Sequence, residues 1–156
     1  MTAEFRRATL DDAGAISEII GEVVVEPDPV GLDGPMSPDE VSQWIDRQGK
    51  YGAMFVAEEE GAILGFASVD FDSSRAEECT IGAWIRPSAR RRGLASILFE
   101  EGLGFAGEQG YKRVRGRLPE ANEAALSFLS TIGALVPIIN PGAQYDMPIY
   151  EVRRDE

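Results

Sequence analysis

The sequence predicts a single mixed α/β domain (α+β), with a central sheet of about seven strands flanked by about four helices. Three observations carry this expectation. The 156 residues suit one compact domain with its own core. Along the chain, apolar residues switch between a two-residue period and a helical period. Caps and breakers of the expected kinds separate those segments, in the order β-α-α-β-β-β-α-β-α-β-β.

Phe5 to Ala8 reads as a short strand. Thr9-Leu10-Asp11-Asp12 then opens a helix, a threonine cap with an acid at the third position. Ile16, Ile19, Ile20 and Val23 follow at helical spacing and form one apolar stripe. Pro27 to Pro38 is rich in Pro, Gly and Asp and reads as a loop. Ser37-Pro38-Asp39-Glu40 is a capping box with proline at the first helical position, opening a helix through about Gln48. Strands are expected over Ala53–Glu58, Ile63–Phe71 and Glu78–Ile85, with Glu59-Glu60-Gly61 as the first turn between them. After Pro87 the pattern turns helical, with Leu94, Ile97, Leu98 and Phe105 on a common side and Gly110 placed to end the helix. Val114–Leu118 reads as a strand and Asn122–Ile132 as a helix closed by Gly133. Leu135–Asn140 and Gln144–Val152 are the final strands, around a Pro-Gly loop.

Composition narrows the chemistry. No stretch is apolar for long enough to cross a bilayer, so no membrane partner is expected. Met1-Thr2-Ala3-Glu4-Phe5 lacks the layout of a signal peptide. A lone cysteine, Cys79, makes no internal disulfide, and the expected setting is the reducing cytoplasm. With no histidine and that single cysteine, a zinc site is not expected, and Ser-His and Cys-His catalysis is excluded. Acid–base chemistry must run on carboxylates, tyrosines, backbone or water. A net charge of −12 argues against a nucleic-acid partner and is compatible with a cationic substrate. Against that acidity stand two basic islands, one of Arg86, Arg90, Arg91 and Arg92, the other of Arg113, Arg115 and Arg117. The first suggests a local anionic ligand, because the arginine fork matches phosphate.

The informative segment runs from Ile85 to Ala95. A strand ends at Pro87, a short basic loop follows, and a helix starts near Gly93. Glycine lets a ligand approach the backbone with no Cβ in the way. The first amides of a helix have no intrahelical partners and lie at the positive end of its dipole. Together these features make a site for a pyrophosphate-like anion. Neither the phosphate-loop pattern nor G-x-G-x-x-G is present.

Arg90-x-x-Gly93-x-Ala95, preceded by Pro87 and an apolar strand, resembles the Q/R-x-x-G-x-G/A acetyl-CoA motif of the GNAT (N-acetyltransferase) superfamily. It falls between the fourth strand and the third helix, as in that fold. Asn122-x-x-Ala125, then Phe128-Leu129 and Gly133, is similar to the family's later motif. The resemblance is concentrated between Glu77 and Ala134. It implies a GNAT-like domain that transfers an acyl group, most simply acetyl, from acetyl-CoA to a primary amine of a small molecule or peptide. On that resemblance the amides from Arg91 through Arg92, Gly93, Leu94 and Ala95 to Ser96 hold the pyrophosphate, with arginines such as Arg90 adding charge. The pantetheine lies beside Trp84, Ile85 and Arg86, in a gap between the fourth and fifth strands. Asn122 contacts the cofactor or caps its helix, and Phe128 lines the groove or the core. Gly82 marks a strand bulge or is kept for packing.

The resemblance places a general base at Glu77, with Glu78 as the alternative and Asp70 and Asp72 behind them. Many relatives carry a tyrosine seven residues after the motif asparagine to protonate the departing thiolate. Leu129 stands there, which leaves Ser127, Ser130, Thr131, Tyr145 or Tyr150 to supply a hydroxyl. Because a thiol has a pKa of about 8.5, the thiolate can leave near neutrality without that help. The acceptor region is expected from the Pro27–Pro38 loop, the Ser37–Gln48 helix and the final strands, with Trp44 and Tyr51 as lining residues. A non-catalytic acyl-CoA sensor and a protein N-terminal or lysine acetyltransferase are the alternatives, and a homodimer would be unsurprising.

Overall fold

Local periodicity decides the position of almost every element in the computed structural model, which describes residues 3–26, 32, 34–72, 75–111, 113–117, 134–138 and 149–153. The strands are β1 (Glu4–Arg7), β2 (Ala53–Glu59), β3 (Ala62–Asp72), β4 (Arg75–Ile85), β5 (Arg113–Arg117), β6 (Ala134–Ile138) and β7 (Ile149–Arg153). They form one seven-stranded sheet in the order β1-β2-β3-β4-β5-β7-β6. Three α-helices are described, α1 (Ala13–Val24), α2 (Pro38–Gln48) and α3 (Leu94–Gln109). The expected helix Asn122–Ile132 lies outside the described residues.

Strand alternation sorts the helices between two faces of the sheet. Met54, Val56, Phe66 and Trp84 point to one side, where Ile16, Ile19, Ile20 and Val23 of α1 and Val41 of α2 cover them. Phe55, Ala57, Ala67, Val69, Cys79, Ile81 and Ile85 point to the other, against Leu94, Leu98, Phe99 and Phe105 of α3. The buried stripe of α1 is the expected one. On α3 it is not quite: Ile97 is 38% exposed, and Phe99, Gly102 and Ala106 join the buried face instead. The core-facing arc is centred near Gly102, and Ile97 falls beyond its edge.

Two helix starts differ in kind. The α2 box is complete: Ser37 Oγ accepts from Glu40 N–H at 3.1 Å, and Glu40 Oε1 accepts from Ser37 N–H at 3.0 Å. Before α1 a 3-10 turn, Leu10–Asp12, intervenes. The Asp12 carboxylate accepts from Thr9 N–H at 2.8 Å and takes both arms of the Arg6 guanidinium at 2.8 and 3.0 Å. Arg6 also reaches Glu58 at 3.0 Å, which ties β1, β2 and this turn together. The Arg6 hydrogen bonds hold the Asp12 carboxyl below its ordinary range, against the opposing effect of its burial.

Only the β4–β5 pair is parallel among the described pairs, because α3 carries the chain back across the sheet. Its register runs from Glu78↔Arg113 to Gly82↔Arg117, while β4 itself continues to Ile85. On its other edge β4 pairs β3 regularly from Gly65↔Ile85 to Phe71↔Cys79, then jumps to Asp72↔Arg75. Ala76, Glu77 and Glu78 therefore face no β3 partner.

Candidate active site

The basic loop is built as the sequence suggests, from proline and glycine geometry. Pro87–Ala89 forms a single 3-10 turn, Arg91 takes a left-handed φ of 66°, and Gly93 caps α3 with φ 76° and ψ 11°. No side chain caps that helix. Its first backbone bond runs from Ile97 N–H to Gly93 C=O, so the amides of Leu94, Ala95 and Ser96 precede the helical ladder. A Cβ added at Gly93 would meet nothing within 4 Å, so the space before these amides is open. Leu94 is buried and anchors the turn, while Arg91, Arg92 and Gly93 are exposed. These features fit a diphosphate.

Most of the arginines, by contrast, are already engaged. Glu18 and Glu22 lie on α1 and Glu26 two residues past its end, each four residues from the next. Arg86 Nη1 donates to Glu18 at 2.9 Å and to Glu22, and its Nε donates to Ile63 C=O at 2.8 Å. Arg90 donates to Glu26 at 2.7 Å through Nη1 and to Ile85 C=O through Nε at 3.2 Å. Arg92 reaches Glu59 at 3.1 Å. The hydrogen bond from Arg90 holds the Glu26 carboxyl below its usual range, and Arg92 does the same to Glu59. Of the four arginines, Arg91 alone has no ion pair among the described residues. The glutamate stripe was visible in the sequence as an i, i+4, i+8 repeat, but its partners lie 64 to 68 residues away.

Beyond Gly82↔Arg117, Ala83–Ile85 continue β4 past the last described β5 partner. Trp84 lies there as expected, but its indole is buried on the α1/α2 face, stacked on Phe66 at 5.0 Å and edge-on to Trp44 at 6.4 Å. Only its backbone belongs to the strand edge. Gly82 resolves to packing: its β3 pairing is regular, and a Cβ there would sit 2.3 Å from the Trp84 ring. The strand irregularity falls instead at Ala76–Glu78. Bulges re-aim side chains and are frequent beside active sites.

Both candidate bases lie in β4. Glu78 is 7% exposed; the Glu77 side chain lies outside the described ones. Glu78 alternates with Thr80 and Gly82, and Thr80 pairs with Asp70 of β3. Asp70 and Glu78 thus share the sheet face that α1 and α2 cover. Against this face lies a cavity of about 480 Å³, lined by Trp44, Arg47, Gln48, Asp70 and Phe71. Asp70 Oδ1 accepts from Trp44 Nε1 at 2.8 Å and from Gln48 Nε2 at 3.0 Å. Trp44 therefore serves both core and cavity, whereas Tyr51 stands beside the cavity, 5.6 Å from the Phe71 ring. Asn122, Ser127, Phe128, Leu129, Ser130, Thr131 and Tyr145 lie outside the described residues, as does the Tyr150 side chain. Among the described residues, no helix is long and apolar enough to cross a membrane, and no cluster of acids and cysteine is arranged for a metal.

An uncapped helix N-terminus thus follows a parallel strand, and the cavity that carries Asp70 and Arg47 lies on the adjoining sheet face. The chain belongs to the acetyltransferase (GNAT) family, whose model matches residues 20–134. Its fold is that of solved structures at low identity. One is YncA of Salmonella typhimurium, determined with its cofactor acetyl-CoA (TM-score 0.85, 19% identity, 100% of this chain and 96% of that one). Another is a GNAT superfamily phosphinothricin acetyltransferase of Sinorhizobium meliloti in complex with acetyl-CoA (0.80, 22%, 97% and 88%). A third is a ribosomal-protein-alanine N-acetyltransferase of Brucella melitensis (0.81, 18%, 97% and 98%). No curated protein matches the sequence significantly.

Proposed function

We propose that the protein is an acetyl-CoA-dependent N-acetyltransferase that acts on a primary amine of a small molecule or peptide by direct attack. One observation carries this reading beyond family membership: the open, uncapped start of α3, set by left-handed Gly93 at the end of the loop that follows β4. The amides from Arg91 to Ser96 hold the diphosphate, with the charge of Arg91 added. Acetyl-CoA supplies an acyl thioester. Amides of β4 near Ala83–Ile85 orient it and stabilise the negative charge that develops on the acyl oxygen. The amine nitrogen bonds to the acyl carbon, the C–S bond breaks, and the thiolate leaves with the electron pair. The amine proton passes to a carboxylate, directly or through water. Glu78 takes this role ahead of Glu77, because its face of β4 carries the cavity.

The test is thiol release from acetyl-CoA across amino acids, polyamines, aminoglycosides and short peptides, with acetyl-CoA binding followed calorimetrically. Amine-dependent release supports the reading, and absence of binding overturns it. Tight binding with no release from any acceptor is the result expected of a sensory domain. Glu78→Gln should lower turnover by about a hundredfold, in the range for a lost general base, with acetyl-CoA affinity kept. The same loss in Glu77→Gln alone would move the base to Glu77.

A further inference from the structure

The cavity beside α2 holds two opposite charges that do not meet each other. Asp70 is half-buried, and both of its hydrogen bonds, from Trp44 and Gln48, fall on Oδ1. Both donors are neutral, so they orient the carboxylate without cancelling its charge. Among the described residues nothing donates to Oδ2, and no cation pairs with Asp70. Arg47 lines the same cavity and is exposed, also with no ion pair among the described residues. Trp44 supplies apolar wall beside them, and Phe71 borders the space at the strand end. At about 480 Å³ the space falls within the range of small-molecule sites.

We propose that this cavity binds the acceptor, and that the acceptor is a zwitterion of the amino-acid type. Its ammonium meets Asp70, its carboxylate meets Arg47, and its side chain lies against Trp44. This rests on the acetyltransferase reading above. A polyamine would set a second cation against Arg47, and a plain acid would set its anion against Asp70. Only a ligand with both charges satisfies both walls. The position also suits the reaction. Asp70 is paired with Thr80, two residues and about 7 Å along β4 from Glu78, so an amine held at Asp70 lies on the same sheet face as the proposed base.

The experiment uses matched acceptors: the free L-amino acids and their C-terminal amides, which keep the amine and side chain and lose the negative charge. Thiol release is measured for the native protein, Asp70→Asn and Arg47→Gln, with acetyl-CoA binding and thermal unfolding recorded for each. The free acid should be preferred over its amide by at least about tenfold in kcat/KM, the scale of one charge-assisted contact. Arg47→Gln should erase that preference by raising KM for the free acids to the level of the amides. An asparagine oxygen still accepts from Trp44 and Gln48, so Asp70→Asn should keep the melting temperature and acetyl-CoA affinity. It should raise KM for acids and amides alike by about tenfold or more. Equal use of acids and amides, or an unchanged KM in Asp70→Asn, overturns the proposal. So does acetyl-CoA binding with turnover confined to polyamines or peptides. Failure of the native protein to bind acetyl-CoA would remove the acetyltransferase reading itself, and this inference with it.

Discussion

Replacing Gly93 separates the two reasons for a glycine at the start of α3. Its φ of 76° and ψ of 11° lie in the left-handed region, where an ordinary L-residue costs roughly 1–2 kcal/mol. Gly93→Ala should therefore lower the melting temperature by about 2–8 °C in a chain of this size. Asparagine visits that region more readily, so Gly93→Asn should lose less than alanine does. Both substitutions, however, place a Cβ in the open space before the first amides of α3, where nothing stands within 4 Å. If a diphosphate docks there, each variant forfeits hydrogen bonds to a charged group, about 1.5–3 kcal/mol, or roughly ten- to a hundredfold in Kd. Calorimetric titration of acetyl-CoA and thermal unfolding, run on the same preparations, read the two effects separately. The expected signature is a stability ranking of Gly, Asn, Ala with affinity lost in both variants. Loss of stability with affinity retained would refute the assignment of the loop, and retained stability in Gly93→Ala would refute the conformational argument.

Other consequences test the surroundings. Gly82→Ala sets a methyl 2.3 Å from the Trp84 ring and must displace it from Phe66; a cost of about 1–3 kcal/mol and altered tryptophan fluorescence are expected, and an unchanged spectrum would count against the packing role. Glu26→Gln releases Arg90 from a largely exposed pair, which typically contributes about 0.2–1 kcal/mol, so acetyl-CoA should bind about 1.5–5-fold tighter; equal or weaker binding would show that Arg90 does not serve the phosphates. The Asp12 carboxyl is held below its ordinary pKa by Arg6, so its contribution to stability is present above about pH 4 and lost as pH falls through the lowered folded value. Acid titration of unfolding free energy should show this slope, diminished in Asp12→Asn; identical slopes would refute it.

What could be read from the sequence was local. The α2 start was legible because Ser37 and Glu40 satisfy each other's amides within four residues. The α1 stripe was legible because one helix period fixes which residues share a face. The turn before α3 was legible because Pro87 and Gly93 act through backbone geometry. What escaped depends on register and distance. Which of Glu77 and Glu78 shares a sheet face with Asp70 turns on the register of β4 against β3 and β5, which no local signal encodes. The tie from Trp44 to Asp70 joins residues 26 apart in different elements, so a tryptophan on a helix stripe was indistinguishable from core. Ile97 differs again: it is apolar at the right spacing yet exposed, because the buried arc of α3 reaches Phe99 and Ala106 on the opposite side.

The arginines bear on how a chain of net charge −12 accommodates a polyanion at all. Read as a cluster, Arg86, Arg90, Arg91 and Arg92 look like the anion site. In the fold, three of them are answered by Glu18, Glu22, Glu26 and Glu59, so the cluster is close to neutral and its first effect is to dock α1 and β2 against the loop. On the proposed reading, the attraction left for phosphate comes from groups that no carboxylate among the described residues neutralises: the leading amides of α3 and Arg91 beside them. Such a site should depend on salt only weakly compared with one built from free arginines, since aligned amides contribute partial charges at contact range whereas side-chain charges act through solvent. Acetyl-CoA affinity measured between low and moderate ionic strength distinguishes the two. A shallow dependence, steepened by Glu26→Gln, is the behaviour expected of amides with Arg90 held in reserve; a steep dependence in the native protein would mean that the ion pairs open when the ligand arrives.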